Sequence, residues 1–206
     1  MSTTSRWVRA SRWAVTGGVF ASGLLFGLGT PAANASTAPR TVSATYSCST
    51  VVLGSTHTFV SPIAISGKTP TSVAPGAKVS MTGFQAKVTI PSSLVSTAES
   101  YGVTYFNGNI KTWYVNATDS KNKSVNAAGT GITIPKTNLP KPAANVTITV
   151  PAAAKTIGTW TAGTTAGAMT FTDGGLIFTL NDNLGVALTV TCSPKPAATI
   201  SKTTVT

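Results

Sequence analysis

Apolar and polar residues alternate over much of the chain beyond residue 40, which is the pattern of strands buried on one face. In residues 77–90, Val79, Met81 and Val88 share one predicted face, and Gly83 interrupts the alternation as a bulge would. Further strands are predicted at residues 42–53, 59–65, 103–118, 132–134, 146–150, 157–161, 168–171, 176–181 and 186–192. Short strands at nearly regular intervals predict a β-sandwich or a barrel.

One segment, residues 91–101, has the pattern of a short helix. Leu94, Ala98 and Tyr101 fall on one helical face at spacings of four and three, and serines at the start can cap the helix. Gly102 stands where helices commonly end. We therefore expect one helix that bridges two strands.

Two glycine-containing dipeptides predict turns within the strand pattern. Asn107-Gly108 lies between β-forming residues and predicts a hairpin inside 103–118. Asp173-Gly174 has ordinary turn chemistry and separates the predicted strands 168–171 and 176–181.

The first 35 residues have the three parts of a secretory signal peptide. Three arginines precede an uncharged apolar run at 14–29, and Ala33-Asn34-Ala35 supplies the small residues of a cleavage site before Ser36. The apolar run is broken by glycines and is shorter than the roughly 20 residues of a membrane span. We expect a cleaved leader at 1–35, a linker at 36–44, a β-sandwich domain at 45–194 and a loose tail at 195–206, with no stable membrane anchor.

Composition and charge narrow the classes of partner. Only 9% of the residues are charged and 42% are hydrophobic, whereas soluble proteins are roughly 25% charged. The net charge of +11 includes Arg6, Arg9 and Arg12 of the leader, so 12 basic and 4 acidic residues leave 12 − 4 = +8 after cleavage. These basic residues are scattered and do not interleave with aromatic ones, so no nucleic-acid partner is expected. Weak attraction to an anionic wall polymer or to a membrane surface stays open.

Cys48 and Cys192 are the two cysteines of the chain, and both fall in predicted strands. In an oxidising compartment such a pair predicts one disulfide. The bond requires the first and last predicted strands to approach within about 7 Å between Cα atoms.

The titratable residues do not predict an active site, a cofactor or a metal centre. After the leader the chain has four carboxylates, at Glu99, Asp119, Asp173 and Asp182, and one imidazole, at His57. A hairpin could bring Asp173 and Asp182 together as the carboxylate pair of a glycoside hydrolase, but each also lies in turn-forming sequence. His57 lacks the Gly-x-Ser-x-Gly sequence of a serine hydrolase. We therefore expect a protein that is not an enzyme.

Aromatic residues offer a binding surface as an alternative to core packing. Tyr105, Trp113 and Tyr114 are the candidates for a glycan platform, because flat rings stack on sugar rings. Alternation along a strand places Trp113 and Tyr114 on opposite sides, so part of the group is expected in the core.

The sequence resembles an uncharacterised family of exported actinobacterial domains. The resemblance covers residues 45–194 and rests on three motifs: Tyr46-Ser47-Cys48; Val88-Thr89-Ile90-Pro91 followed by Ser93-Leu94-Val95 and Gly102-Val103; and Leu176-Ile177-Phe178-Thr179-Leu180 leading to Val190-Thr191-Cys192. It implies an immunoglobulin-like β-sandwich with a terminal disulfide, and it implies no activity.

These observations predict a secreted, non-catalytic binding or structural module that is extracellular or loosely attached to the cell surface. Its expected partners are a cell-wall or extracellular polysaccharide or a surface protein. A carbohydrate-binding module is the first alternative, and an exported hydrolase is the second.

Overall fold

The computed structural model describes residues 40–52 and 54–206. The predicted signal peptide and residues 36–39 of the predicted linker lie outside the described residues. No helix within the described ranges is long and apolar enough to cross a membrane.

Strands make up most of the described chain, with one short helix between the fourth and fifth strands. The elements are β1 (Arg40–Val52), β2 (Ser55–Lys68), β3 (Ser72–Val73), β4 (Lys78–Ile90), α1 (Ser92–Ser100), β5 (Tyr105–Ala117), β6 (Ser124–Asn126), β7 (Ile132–Asn138), β8 (Val146–Thr161), β9 (Gly167–Asp182), β10 (Ala187–Pro194) and β11 (Thr199–Val205). The predicted helix and the predicted strand with a bulge near Gly83 are confirmed, since the β4–β8 pairing shifts register between Met81 and Phe84.

Hydrogen bonds connect all of these strands into one sheet. Along the main path the order is β3-β11-β9-β10-β1-β2-β4-β8, and β5 pairs with β9 and carries β6 and β7. The pairs are antiparallel except β3 with β11. β9 is long enough to pair with β11 along its first part and with β10 along its second.

The sheet folds back on itself, so that β4 and β8 face β5 and β9 across the core. Two edge-to-face ring contacts mark this packing: Phe84 meets Trp113 at 5.2 Å between centroids, and Trp160 meets Phe171 at 5.0 Å. All four rings are fully buried. Aromatic pairs of this geometry contribute roughly 0.5–1.5 kcal/mol beyond the area they bury. The core therefore lies between two layers of one continuous sheet.

The predicted disulfide is confirmed and joins neighbouring strands. Cys48 of β1 lies directly opposite Cys192 of β10, with 4.0 Å between the Cα atoms. The expected all-β, immunoglobulin-like sandwich with one short helix and a disulfide between its opening and closing segments is thus the observed fold class.

Residues 195–206, predicted as a loose tail, contain β11. Ile200 and Val205 of β11 are buried in the core, and the strand pairs with β9 from Thr172 to Gly167. The sequence Thr199–Val205 alternates too briefly beside prolines to stand out. β11 is stabilised by pairing with the part of β9 that extends beyond the end of β10.

Both predicted glycine turns are also wrong. β5 runs unbroken through Asn107-Gly108, and β9 runs unbroken through Asp173-Gly174. At each glycine a Cβ would collide with the neighbouring strand: with the Thr179 carbonyl oxygen at Gly108, and at 2.9 Å from the Tyr114 carbonyl oxygen at Gly174. These glycines permit close approach of β5 and β9 rather than a change of direction.

Candidate functional site

The three aromatic residues predicted as a glycan platform do not form one. Trp113 has no exposed surface, so its assignment to a binding face is wrong. Tyr114 is 42% exposed. Tyr105 is half-buried and lies beneath the ammonium group of Lys136, 3.8 Å from the ring centroid.

Tyr105 and Tyr114 lie on the outer face of β5 but far apart. They are nine residues apart in the sequence, which corresponds to about 30 Å along a strand at about 3.3 Å per residue. They share a face in spite of their odd spacing because the β5–β9 pairing shifts register between Ile110 and Thr112. A single sugar ring cannot stack on both.

Tyr114 instead lies near an open polar groove at the end of β5. Asn116, two residues further along the same outer face, lines this groove, whose volume is about 810 Å3. The groove runs between the loop after β5 and the loop between β8 and β9. Its lining combines the methyl groups of alanines and threonines with hydroxyl, amide, ammonium and carboxylate groups, from Asn116, Thr118, Asp119, Ser120, Lys121, Lys123, Ser124, Thr164, Thr165 and Thr172.

Hydrogen bonds fix the loop after β5 to the end of β8 and to the loop between β8 and β9. The Asn122 side chain donates to the Thr159 carbonyl oxygen at 2.7 Å and accepts from the Thr161 amide at 2.8 Å. The Gly163 amide donates to the Asp119 carbonyl oxygen at 2.7 Å. Asp119 has a φ of 49°, a conformation that asparagine and aspartate tolerate better than most residues. The groove is therefore preformed, which lowers the entropy cost of binding.

The two aspartates considered as a hydrolytic pair have separate structural roles. Both lie on β9, nine residues apart, so about 30 Å of strand separates them, compared with the roughly 5–9.5 Å of glycosidase carboxylates. Asp173 is fully buried and accepts a hydrogen bond from the Ala198 amide. Asp182 accepts from the amides of Leu184 and Val186 at 2.8 and 2.9 Å and stabilises the β9–β10 turn.

Asp173 is the most buried of the described carboxylates. Burial raises its pKa, and the hydrogen bond from the Ala198 amide partly offsets this rise. Burial, together with the negative charge of Asp173, raises the pKa of Tyr46. The Tyr46 hydroxyl donates to the Gly174 carbonyl oxygen at 3.3 Å. The second carboxylate oxygen of Asp173 is buried without a hydrogen-bond partner in the described structure.

The other titratable side chains do not converge. His57 is exposed on β2, opposite Thr50 of β1. Across residues 40–52 and 54–206, no three His, Cys, Asp or Glu side chains are grouped so that they could hold a metal ion.

An apolar cavity lies between the two layers at the end of the domain that carries α1. Its volume is about 40 Å3, and its walls include both disulfide cysteines and Leu94 of α1. Ser61 is the one hydroxyl-bearing side chain of the lining, and its hydroxyl donates to the Thr89 carbonyl oxygen at 3.0 Å. The cavity is therefore apolar and has no unsatisfied side chain in its wall.

The sequence predicts only part of these sites. Tyr114 was predicted, but the groove beside it is formed by loops about 40 residues apart, at 118–123 and 162–166. Both loops are rich in Gly, Ser, Thr and Asn, and this composition is shared by most turns of the chain. The apolar cavity is made of ordinary core residues and has no local sequence signal.

Comparisons with known proteins identify a family for the chain but no function. The model of a family of unknown function, DUF6801, matches residues 45–201. The predicted resemblance to an uncharacterised family is therefore confirmed. A search of curated proteins found no significant match.

Among solved structures, a crystal structure of a protein from Corynebacterium diphtheriae, described as membrane anchored, is similar at 17% identity and a TM-score of 0.48. The similarity covers 81% of this chain and 38% of that chain. At these values the likeness supports no statement about function.

Proposed function

Because the chain belongs to DUF6801, a family of unknown function, we propose from its own geometry that it is an exported, non-catalytic binding module. The proposal rests on the preformed polar groove beside Tyr114. The carboxylates of Asp173 and Asp182 bond to backbone amides and lie far apart on β9, which supports a binding role over hydrolysis.

Export is supported by the leader sequence together with the disulfide. The Cys48–Cys192 bond is characteristic of proteins that fold in an oxidising compartment. The protein would then act in the extracellular space or loosely attached to the cell surface. Mass spectrometry of secreted material tests this part, since the proposal requires an amino terminus at Ser36. Retention of the first 35 residues on the secreted protein would contradict it.

The ligand we propose for the groove is a polysaccharide of the cell wall or extracellular matrix. Hydroxyl and amide side chains can exchange hydrogen bonds with sugar hydroxyls, and the exposed ring of Tyr114 lies on the same face as Asn116 of the groove. A surface protein is the other partner class that such a groove could fit. The excess of basic residues would favour anionic polymers over neutral ones, and this preference should weaken as salt is added.

Binding to immobilised peptidoglycan, chitin, cellulose and xylan tests the proposal. Tyr114→Ala should weaken binding tenfold or more, since burying a large apolar side chain stabilises by about 1.5–3 kcal/mol. Thr165→Trp should block the groove from its other wall. Tyr101→Ala is the matched control, because Tyr101 is also exposed but follows α1 at the opposite end of the domain. Equal binding by all variants, or no binding to any polymer, would refute the carbohydrate proposal.

An exported hydrolase is tested with the same polymers. The non-catalytic proposal expects no release of soluble sugars. Turnover that disappears in both Asp173→Asn and Asp182→Asn, in variants that keep their fold, would overturn it.

A further inference from the structure

The apolar cavity beneath α1 is distinct from the polar groove and has a different chemistry. It lies on the level of the disulfide, toward the helix end of the domain, whereas the groove lies at the opposite end of β5. Its walls are almost entirely aliphatic, aromatic or sulfur-bearing side chains from both layers. Cavities of this kind exclude water and accept apolar molecules.

The shape of the cavity favours a chain over a ring. Phe59, Ser61 and Ile63 line it at alternate positions along β2, and Leu176, Phe178 and Leu180 do the same along β9. Each set spans about 13 Å at about 3.3 Å per residue. A volume of about 40 Å3 spread over that length leaves a narrow passage rather than a round pocket.

The helix α1 closes the cavity with few attachments. Leu94 forms part of the cavity wall, and Val95 is the one buried residue of the helix. Asparagine side chains from two other loops hold the ends of the helical segment. The Ser92 amide donates to Asn145 Oδ1 at 2.8 Å, and Asn183 Nδ2 donates to the Gly102 carbonyl oxygen at 3.2 Å. A displacement of α1 breaks few contacts and would open the cavity.

Exposed apolar side chains surround the same end of the domain. Val51 lies at the β1–β2 turn and Leu184 and Val186 at the β9–β10 turn, and each is at least 46% exposed. Tyr101 follows α1, and its neighbour Gly102 is bonded to Asn183 of the β9–β10 turn. An apolar ligand that emerges from beneath α1 would therefore meet further apolar surface.

We propose that the cavity binds an unbranched alkyl chain, such as that of a fatty acid or a lipid, and that α1 moves to admit it. The cavity as it stands accepts the tip of such a chain, since about 40 Å3 corresponds to roughly three water-sized spheres. A longer chain requires the displacement of Leu94. Affinity should therefore rise about fourfold for each added methylene group until the passage is filled.

Titration of the secreted protein with 1-hexanol, 1-octanol and sodium decanoate, followed by NMR of methyl groups, tests the site. Saturable shifts are expected for the methyl groups of Ile90, Leu94 and Leu176. Val79 and Met169, which lie in the core outside the cavity lining, should not shift. The absence of saturable shifts with every chain length would overturn the proposal.

Variants at two walls make the test specific. Ser61→Leu fills the cavity from β2 and Leu94→Trp fills it from α1, and each should weaken binding tenfold or more. Val60→Leu is the matched control, because Val60 is the neighbouring residue on β2 and is 58% exposed. Leu94→Ala enlarges the cavity and should preserve or strengthen binding. Unchanged affinity in both filling variants, with the fold verified by circular dichroism, would refute the assignment.

Two further arms separate the sources of the chain. Binding of decanoate without sedimentation on phosphatidylglycerol vesicles identifies a free fatty acid, whereas sedimentation that Ser61→Leu abolishes identifies a membrane lipid. Tyr114→Ala should leave alkyl binding intact in either case, so this proposal and the polysaccharide proposal can fail independently.

Discussion

Removal of the Cys48–Cys192 disulfide should destabilise the domain strongly, mainly through the unfolded state. The bond joins residues 144 positions apart, and it therefore restricts almost the whole domain once the sheet has come apart. For a loop of this length the chain-entropy relation gives about 17 cal/mol/K, or about 5 kcal/mol at 25 °C. A domain of this size loses roughly 2–4 °C of Tm per kcal/mol, so we expect a decrease of roughly 10–20 °C.

The double variant Cys48→Ala/Cys192→Ala, studied by urea unfolding, provides the measurement. Because the unfolded chain becomes less compact without the crosslink, the dependence of the free energy of unfolding on urea should also become steeper. Both cysteines are buried, so the substitution also removes packing. Wild-type protein reduced with a phosphine is the control, since it loses the crosslink but keeps both sulfur atoms.

The two contributions can then be separated. Reduced wild type should account for most of the loss, and the further difference between it and the double variant reports the packing of the sulfur atoms. A loss below about 1 kcal/mol, with an unchanged urea dependence, would refute the view that the bond acts on the unfolded chain.

Three further predictions follow from individual residues of β5, β9 and β11. Burial raises the pKa of Asp173 in the folded state, so the folded protein holds the carboxyl proton of Asp173 more tightly than the unfolded chain does. The contribution of Asp173 to stability therefore falls as the pH rises above about 4, the pKa of an aspartate in the unfolded chain. Asp173→Asn should therefore gain stability relative to wild type between pH 4 and 8 in urea unfolding, and a difference independent of pH would contradict this. Gly108→Ala should lower the free energy of unfolding by at least about 3 kcal/mol, the upper end of the usual cost of overpacking, because its Cβ would overlap the Thr179 carbonyl oxygen. Gly167→Ala, where a Cβ meets nothing within 4 Å, should change thermal stability little, and equal Tm values for the two variants would show that β5 and β9 can separate at no cost. Deletion of residues 199–206 should cost roughly 3–6 kcal/mol, because Ile200 and Val205 lose their burial; an unchanged urea midpoint would mean that β11 contributes nothing.

The features that the sequence predicted correctly are those with a local signal. Helix α1 has a terminal glycine of its own, although its buried residue is Val95 and Tyr101 of the predicted apolar face is exposed. β1 and β10 each carry a cysteine within an alternating stretch. For these elements the local pattern and the tertiary contacts favour the same structure, which is typical of natural sequences. The β4 bulge belongs to the same group, because Gly83 interrupts an alternation that continues on both sides.

The side of a strand that faces the core could not be predicted for β5. Alternation requires Trp113 and Tyr114 to point in opposite directions, and it does not say which of them is inside. The register shift between Ile110 and Thr112 reverses the pattern within the strand, so the inward positions of the first half do not extrapolate to the second. The packing of Trp113 against Phe84 of β4 determines which side of β5 faces the core. The sequence around either residue gives no local signal of this contact.

The wrong turn at Asp173-Gly174 and the missed strand β11 have a common physical cause in β9. Asp173 lies near the point where the partner of β9 changes from β11 to β10. At that point the Ala198 amide, just before β11, donates to the Asp173 carboxylate. The Asp173 amide in turn donates to the Ala198 carbonyl oxygen. The following Gly174 allows β5 to approach on the other edge, where a Cβ would press on Tyr114. The Asp-Gly-Gly sequence therefore occurs here within a buried strand that changes partners. The same residues are also typical of surface turns. Only the pairing of the C-terminal segment, about 25 residues further along the chain, distinguishes the two cases.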